Sequence, residues 1–377
     1  MAPITKPSQA ELDRRKTIGI NLETVTNVSA TEFPGNYPGE DLAWDLEQFR
    51  DALQVRFHKN EQFDASFSLV GVDASIANAF RRIMIAEIPT VAIETAYIDN
   101  NTSVIQDEVL AHRLGLIPFR GGCEGLRTFI KWWKRPSADA DASDEFPTSF
   151  DYNTIKLDLR VECTRNPDAA PGETDPQKLY HHAHVYARDI VFVPEGRQVE
   201  YFSGADAIAP VNPDILVAKL RPGQVIDIEM HMHKGIGADH AKFSPVCTAS
   251  YRLLPTITIT QPILGDDAVK FANCFPPGVI GLEPVTKKDA ARDPAYAGHV
   301  GDTKAVVVDP MRDTVSRECL RHPEFQGKVK LGRRKDHFIF SVESTGQWDS
   351  DELFLESVKL LKLKCQKMEK QLKNMIR

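Results

Sequence analysis

Asp73 and Pro89 bracket the stretch that most limits how this chain can fold. Between them the sequence reads Ala-Ser-Ile-Ala-Asn-Ala-Phe-Arg-Arg-Ile-Met-Ile-Ala-Glu-Ile. Asp73 can accept a hydrogen bond from an early helical N–H, as a helix N-cap does. Pro89 has no N–H to donate and turns Ile88 away from the α region, so a helix must stop there. Ile76, Ala77, Phe80, Ile83 and Met84 recur at helical spacing and form one apolar face. Asn78, Arg81, Arg82 and Ile85 fall on the other side. Two adjacent arginines beside an isoleucine admit two readings. One is a solvated charged face with a single apolar residue, which is ordinary at a surface. The other is a face made for a partner, because interfaces favour arginine with apolar neighbours.

Strand patterns surround this helix. Leu53–His58 and Gln62–Val70 precede it, the second with Phe63, Ala65, Phe67 and Leu69 on one side, and Thr90–Ile98 follows. Ser103 and Gln106 have capping-box spacing for a second helix, with Val109, Leu110 and Leu114 on its apolar side and Gly115 as its C′ residue. Strands then dominate: Thr154–Cys163, His184–Val193, Ile215–Leu220, Gln224–His233 and Thr256–Leu264. Residues 136–148 are acidic and low in complexity, which predicts a loop. Residues 1–44 read as an extended arm, with Trp44 and Phe49 available to anchor it. Further on, Ala305–Asp309 reads as a strand, Asp313–Leu320 as a short helix capped by Asp313, and Asp336–Glu343 as a strand.

The last segment is the most periodic. Asp349 and Glu352 have capping-box spacing, and Phe354, Val358, Leu361, Cys365, Met368, Leu372 and Met375 then repeat at four-three intervals. This is a heptad-like seam on a helix of about 40 Å at ~1.5 Å per residue. Six lysines, from Lys359 to Lys373, occupy its other faces. The seam can lie on the chain's own sheet or against another chain's helix, and different lengths of it can do each.

Motifs of catalysis are scarce. No Gly-x-x-x-x-Gly-Lys-Ser/Thr loop and no Gly-x-Ser-x-Gly elbow occurs, and Gly235-Ile-Gly237 and Gly265-Asp-Asp read as turns. His231-Met-His233 places two imidazoles on one side of a strand, where His181, His182, His184 or His240 could complete a metal site. That would make a metal-dependent hydrolase using His231 and His233. The same two residues also continue the polar row of Asp227 and Glu229, which a solvated or interface strand explains without a metal. None of the six cysteines pairs at Cys-x-x-Cys spacing, so they are expected as free thiols in a reducing compartment. The N-terminal residues hold no apolar secretory core, and no apolar run approaches the ~20 residues of a membrane span. A net charge of −7 argues against holding nucleic acid autonomously, and 377 residues suffice for two domains.

The two helical motifs carry a resemblance. Asn78-Ala-Phe-Arg-Arg-Ile-Met-Ile-Ala-Glu-Ile-Pro89, followed by Val104-Ile-Gln-Asp-Glu-Val-Leu-Ala-His-Arg-Leu-Gly-Leu-Ile-Pro118, resembles the alpha-type assembly subunits of cellular RNA polymerases. The likeness continues at Val25–Gly35, His240–Val246, Cys274–Gly281 and Arg312–Glu318. Within the family the chain is most similar to the larger alpha-like subunit shared by eukaryotic RNA polymerases I and III. The resemblance implies an α+β fold. A split dimerisation domain, antiparallel sheet with helices at 45–105 and 328–377, would be interrupted by a β-rich inserted domain at 106–327. A ferredoxin-like insertion at 266–325 would hold only Cys274 and Cys319, too few for a metal cluster, so no cofactor is expected. It further implies a non-catalytic scaffold in the nucleus and nucleolus, supporting synthesis of ribosomal, transfer and 5S RNA. The C-terminal helix, through Phe354, Val358, Leu361, Cys365 and Met368, would meet a small alpha-like subunit in a heterodimer. Asn78, Arg81, Arg82 and Ile85 would meet the second-largest subunit. His240, Lys242 and Phe243 would lie near that subunit and a small zinc-binding one.

Overall fold

A computed structural model describes residues 7–31, 35, 37, 39–40, 43–133 and 149–375. The acidic stretch expected as a loop at 136–148 lies outside the described residues. Two compact units are present. One comprises Met1–His58, Ser66–Ala79 and Ser250–Phe340, the other Lys59–Ala65, Phe80–Ala249 and Ser341–Arg377. These boundaries do not coincide with the divisions implied by the resemblance.

One sheet runs in the order Val25–Thr26, Thr17–Ile20, Val329–Ser344, Asp64–Val70, Gln54–Asn60, with Val246–Ile259 also paired to Val329–Ser344. Alternation does what the sequence requires of a half-buried strand: Phe67 and Leu69 are buried, and Phe67 stacks on Phe340 with ring centroids 5.1 Å apart. Phe63, expected on the same buried side, is 41% exposed; it lies just before the strand, its carbonyl accepting the Ser344 N–H at 2.8 Å. A separate cluster gathers Phe271, Phe275, Val279, Cys319 and Phe325, around the helix Gly265–Asn273 and the hairpin of Ile280–Pro284 with Thr303–Val307. Burial pushes the Cys319 thiol up to about 12, so it is an inert core residue.

The second unit carries an antiparallel sheet in the order Val191–Val193, Ile155–Glu162, Val225–Gly235, Thr90–Asn101. Ile155, Leu157, Leu159 and Val161 face one way, and so do Ile226, Ile228, Met230 and Met232; all are buried. They share a core with Leu110 and Leu114 of the helix Asp107–Gly115. Each such side chain contributes roughly 1.5–3 kcal/mol by leaving water. Antiparallel sheets carrying helices make this the α+β class that was expected.

Several local expectations fail for identifiable reasons. The arm is not extended throughout. Ser8 accepts the Glu11 N–H at 3.3 Å and starts the helix Gln9–Arg15, and Thr17–Ile20 enters the sheet with Thr17 opposite Arg334. Trp44 is exposed and meets only Phe49 among the described rings, at 5.8 Å. Ser103 does not cap the next helix: its hydroxyl bonds Asn101 Oδ1 at 2.7 Å, and the helix starts at Asp107. Gly115 lies inside the last turn, which Leu116 closes. Gly265-Asp-Asp opens a helix rather than a turn, its carboxylates set where the helix dipole favours them. Gly235 stays within its strand while Gly237 lies in the turn that follows, and His184–Val193 is interrupted by a 3-10 turn at Ala187–Asp189.

The expected helix at Asp313–Leu320 is also absent. The segment has 3-10 turns at Pro310–Arg312 and Glu318–Arg321, and Val315 between them sits at φ 62°, a strained value for a β-branched residue. Asp313 is buried, and its Oδ1 has no hydrogen-bond partner among the described residues. Burial raises its pKa, against the N–H of Val315, the Arg252 charge, the N–H of Thr314 and Arg333. A folded-state pKa above the ordinary carboxylate value means stability is fullest at low pH and is lost as pH rises through that pKa. Asp313→Asn keeps an acceptor for the loop N–H groups and carries no charge. Urea unfolding should therefore show the variant gaining on the parent as pH climbs from 3 to 8; a gap independent of pH would contradict this account.

Candidate partner-binding site

The arginine helix spans Ala74–Ala86. Asp73 caps it as expected: its carboxylate accepts the Ser75 N–H at 3.0 Å and hydroxyl at 2.7 Å, and its carbonyl accepts the Ala77 N–H at 3.1 Å. Burial opposes ionisation of Asp73, but hydrogen bonds from Ser75, Thr31 and Ala74 prevail and lower its pKa. Ala77, Phe80, Ile83 and Met84 are buried, with Ile76 half-buried. On the other face Asn78, Arg81 and Ile85 are half-buried, and Arg82 is exposed with no ion pair among the described residues. Desolvating the two cations is favourable only against a complementary surface, so this face is not apolar core.

The second candidate element, the helix Ser350–Met375, is anchored at its start. Ser350 donates through its N–H to Gln62 O at 2.9 Å and through its hydroxyl to Glu61 O at 2.6 Å. Phe354 meets Phe80 edge to face, centroids 5.3 Å apart, and Leu353 and Ser357 are buried beside it. Ion pairs flank this anchor: Arg120–Asp349 at 2.9 Å, Arg127–Glu356 at 2.9 Å and Lys364–Glu87 at 2.6 Å. All are partly exposed and contribute roughly 0.2–1 kcal/mol each, less than the buried aromatic pair. The Asp349 carboxylate, expected to cap the helix, is instead the partner of Arg120, while its carbonyl accepts the Leu353 N–H.

Beyond the anchor the seam is bare. Leu361 is half-buried, Val358 and Cys365 are exposed, and Met368 is 64% exposed. No residue from Lys362 to Met375 is buried. Leu372 and Met375 extend the same stripe; Leu355 and Leu363 are also exposed but lie off it. The heptad reading overlooked these last two because they lie off its a and d positions; with Val358, Met368, Leu372 and Met375 they make six large exposed apolar residues on this helix.

Around His240 the arrangement differs from the expectation. Phe243 is buried against Gly235, where an added Cβ would stand 2.6 Å from the ring. Lys242 is committed internally, to Glu94 at 2.6 Å and to Ile93 O at 2.7 Å. Only His240 presents an exposed side chain, its Nδ1 accepting the Lys242 N–H at 3.1 Å. Lys242 and Phe243 thus support the turn that presents His240 and do not themselves face outward.

The histidine pair does not assemble a metal centre. His231 Nε2 lies 2.9 Å from Glu229 Oε1, and His233 Nδ1 lies 3.1 Å from Asn153 O, with its ring stacked on Trp133. The two ring centroids are 6.5 Å apart. Both residues are buried, so they are not the solvated row the alternation suggested. Burial holds His233 below the usual imidazole range. His184, a proposed third ligand, pairs with Gln177 and Tyr186. Among the described residues no three His, Cys, Asp or Glu side chains converge as metal ligands.

Residues 66–365 match the family described as the RNA polymerase Rpb3/Rpb11 dimerisation domain. The Saccharomyces cerevisiae protein named DNA-directed RNA polymerases I and III subunit RPAC1 is 50% identical over 349 residues, 93% of this chain and 96% of its own length. The Homo sapiens protein of the same name is 44% identical over 360 residues, 96% of each chain. The Arabidopsis thaliana protein named DNA-directed RNA polymerases II, IV and V subunit 3 is 32% identical, covering 83% of this chain and 88% of its own.

Anchor and seam make opposite demands on stability. Phe354→Ala should cost about 3–5 kcal/mol in urea unfolding of the isolated chain. Met368→Ser with Leu372→Ser should change it by less than about 0.5 kcal/mol. Comparable losses from both would mean the seam is already buried.

Proposed function

Since the chain belongs to the RNA polymerase Rpb3/Rpb11 dimerisation family, we propose that it is the larger alpha-like subunit shared by DNA-directed RNA polymerases I and III. In this reading it is an assembly scaffold whose polymerase carries the active site in other subunits. The observation that carries it is the bare seam, an ordered apolar stripe in a dimerisation family with nothing of its own chain over it among the described residues. A helix of the small alpha-like subunit covers the seam from Val358 to Met375. Each side chain fully buried there contributes roughly 1.5–3 kcal/mol to the heterodimer. Phe354 supports the interface from beneath and does not line it.

The arginine face then serves the second-largest subunit. Arg81 and Arg82 suit carboxylates because the planar guanidinium can bond them in pairs, with Asn78 and Ile85 completing the contact. His240, on the turn that Lys242 and Phe243 brace, contributes nearby and toward the small zinc-binding subunit. The dimerisation domain in this reading is 45–105 with 328–377, the inserted domain 106–327, and the ferredoxin-like insertion 266–325 without a cluster. The subunit works in the nucleus and nucleolus, in synthesis of ribosomal, transfer and 5S RNA.

Co-expression with the small subunit tests this directly. The wild-type chain should co-purify with it in equal amounts and polymerise no nucleotides, and Met368→Asp with Leu372→Asp should abolish co-purification. Recovery of a stable homodimer indifferent to the small subunit would defeat the proposal. Arg81→Ala with Arg82→Ala should leave the heterodimer intact and reduce recovery of the second-largest subunit at least about tenfold, as loss of charge-assisted contacts predicts. Loss of the heterodimer itself would show that the face is misassigned.

A further inference from the structure

A second polar site lies in the first unit. It is a cleft of about 430 Å³ whose wall is the edge strand Gln54–Asn60. Gln54, Arg56 and His58 alternate on that strand and all line the cleft. Ser68, which also lines it, is 1% exposed, and its hydroxyl oxygen lies 2.7 Å from His58 Nε2 and 2.7 Å from His337 Nε2. One hydroxyl hydrogen serves two imidazoles here. It can be donated to only one ring nitrogen, so the other ring must donate to the oxygen. When both rings carry a proton, both donate to Ser68 Oγ, and the hydroxyl hydrogen is released toward the cleft.

The surrounding charges leave the site positive. Arg56 is exposed and forms no ion pair among the described residues. Asp309 also lines the cleft, but it is held by Arg312 at 3.3 Å and by the Met311 N–H at 3.0 Å. Asp336, next to His337, pairs with Lys16 at 3.0 Å and with Arg334 at 3.4 Å. Arg252, from the neighbouring strand, donates to the carbonyls of Asp313 and Met311. Asp309 and Asp336 therefore each have a cation, while Arg56 and the two imidazoles have no ion-pair partner among the described residues. Burial lowers the pKa of His337; His58, Arg334 and Arg56 press the same way, and Asp336 opposes them.

We propose that this cleft binds a phosphate-class oxyanion, held by Arg56, Gln54 and the freed Ser68 hydroxyl, with charge supplied by His58 and His337 as the ligand brings in a proton. Guanidinium and hydroxyl donors suit the several acceptor oxygens of such an ion. Binding is then linked to protonation, and affinity rises as pH falls.

Titration calorimetry of the full-length chain with pyrophosphate, inorganic phosphate and phosphoserine tests this. Pyrophosphate or phosphate strongest assigns a free ion; phosphoserine strongest assigns a phosphorylated side chain of a partner. The expected result is saturable 1:1 binding, about tenfold or more tighter at pH 6 than at pH 8. Repeating the titration in buffers of different ionisation heat should show uptake of about one proton per ligand. Arg56→Ala should weaken binding about tenfold or more at both pH values. His337→Gln should remove the pH dependence, and His58→Gln, on an exposed strand, repeats that test if the first variant folds poorly. No saturable binding at pH 6, equal affinity at both pH values, or binding that Arg56→Ala leaves intact would overturn the proposal.

Discussion

The edge-to-face contact of Phe80 with Phe354 is the joint on which the partner-binding surface depends. It lets the C-terminal helix start on a fixed support, where Ser350 spends its N–H and hydroxyl on the carbonyls of Gln62 and Glu61. Nucleation is the costly step of helix formation, and each later residue adds a hydrogen bond for little further order. Once the first turns are held, the remainder persists as helix without tertiary contacts. Its composition of Leu, Lys, Met, Glu and Gln is favourable for that. An apolar stripe is thereby kept ordered in water, and a stripe already ordered gives up less conformational entropy on association.

The same economy explains which candidate residues face outward. Lys242 and Phe243 occur in a motif that suggested a contact, yet one is committed to Glu94 and Ile93 and the other is buried on Gly235. They hold His240 in place. Arg82, by contrast, has no ion pair among the described residues. A cation held near an apolar neighbour with no carboxylate of its own is suited to meeting one on another chain. The cleft at His58 and His337 follows the same logic on a smaller scale, with Arg56 free of ion pairs among the described residues where Asp309 and Asp336 are already paired.

Much of the site was legible in the sequence because its signals are local. Asp73 and Pro89 bound a helix by hydrogen bonding and sterics within a few residues, and the helix runs Ala74–Ala86. The four-three seam from Phe354 onward likewise needs only helical geometry. The unread parts depend on distant residues. Thr17–Ile20 is a strand only because Val329–Ser344 offers it an edge, so the arm looked merely polar and extended. Ser103 has the right spacing for a cap, but Asn101 takes its hydroxyl first. His231 and His233 share a strand face, but Glu229, Asn153 and Trp133 engage them separately.

The sequence by itself determined where the two helices lie, which residues form their apolar faces, and which strands alternate, since periodicity and capping are set by neighbours along the chain. Only the tertiary structure decided how far the seam is covered. Phe354 and Met368 occupy equivalent positions in the repeat, yet one is buried and the other is 64% exposed. The repeat specifies an apolar side, but burial requires a surface opposite it, and that surface is assembled from Phe80 and other residues hundreds of positions away. The tertiary structure alone also brought Ser68 between His58 and His337, because a hydroxyl shared by three strands has no signature in any one of them.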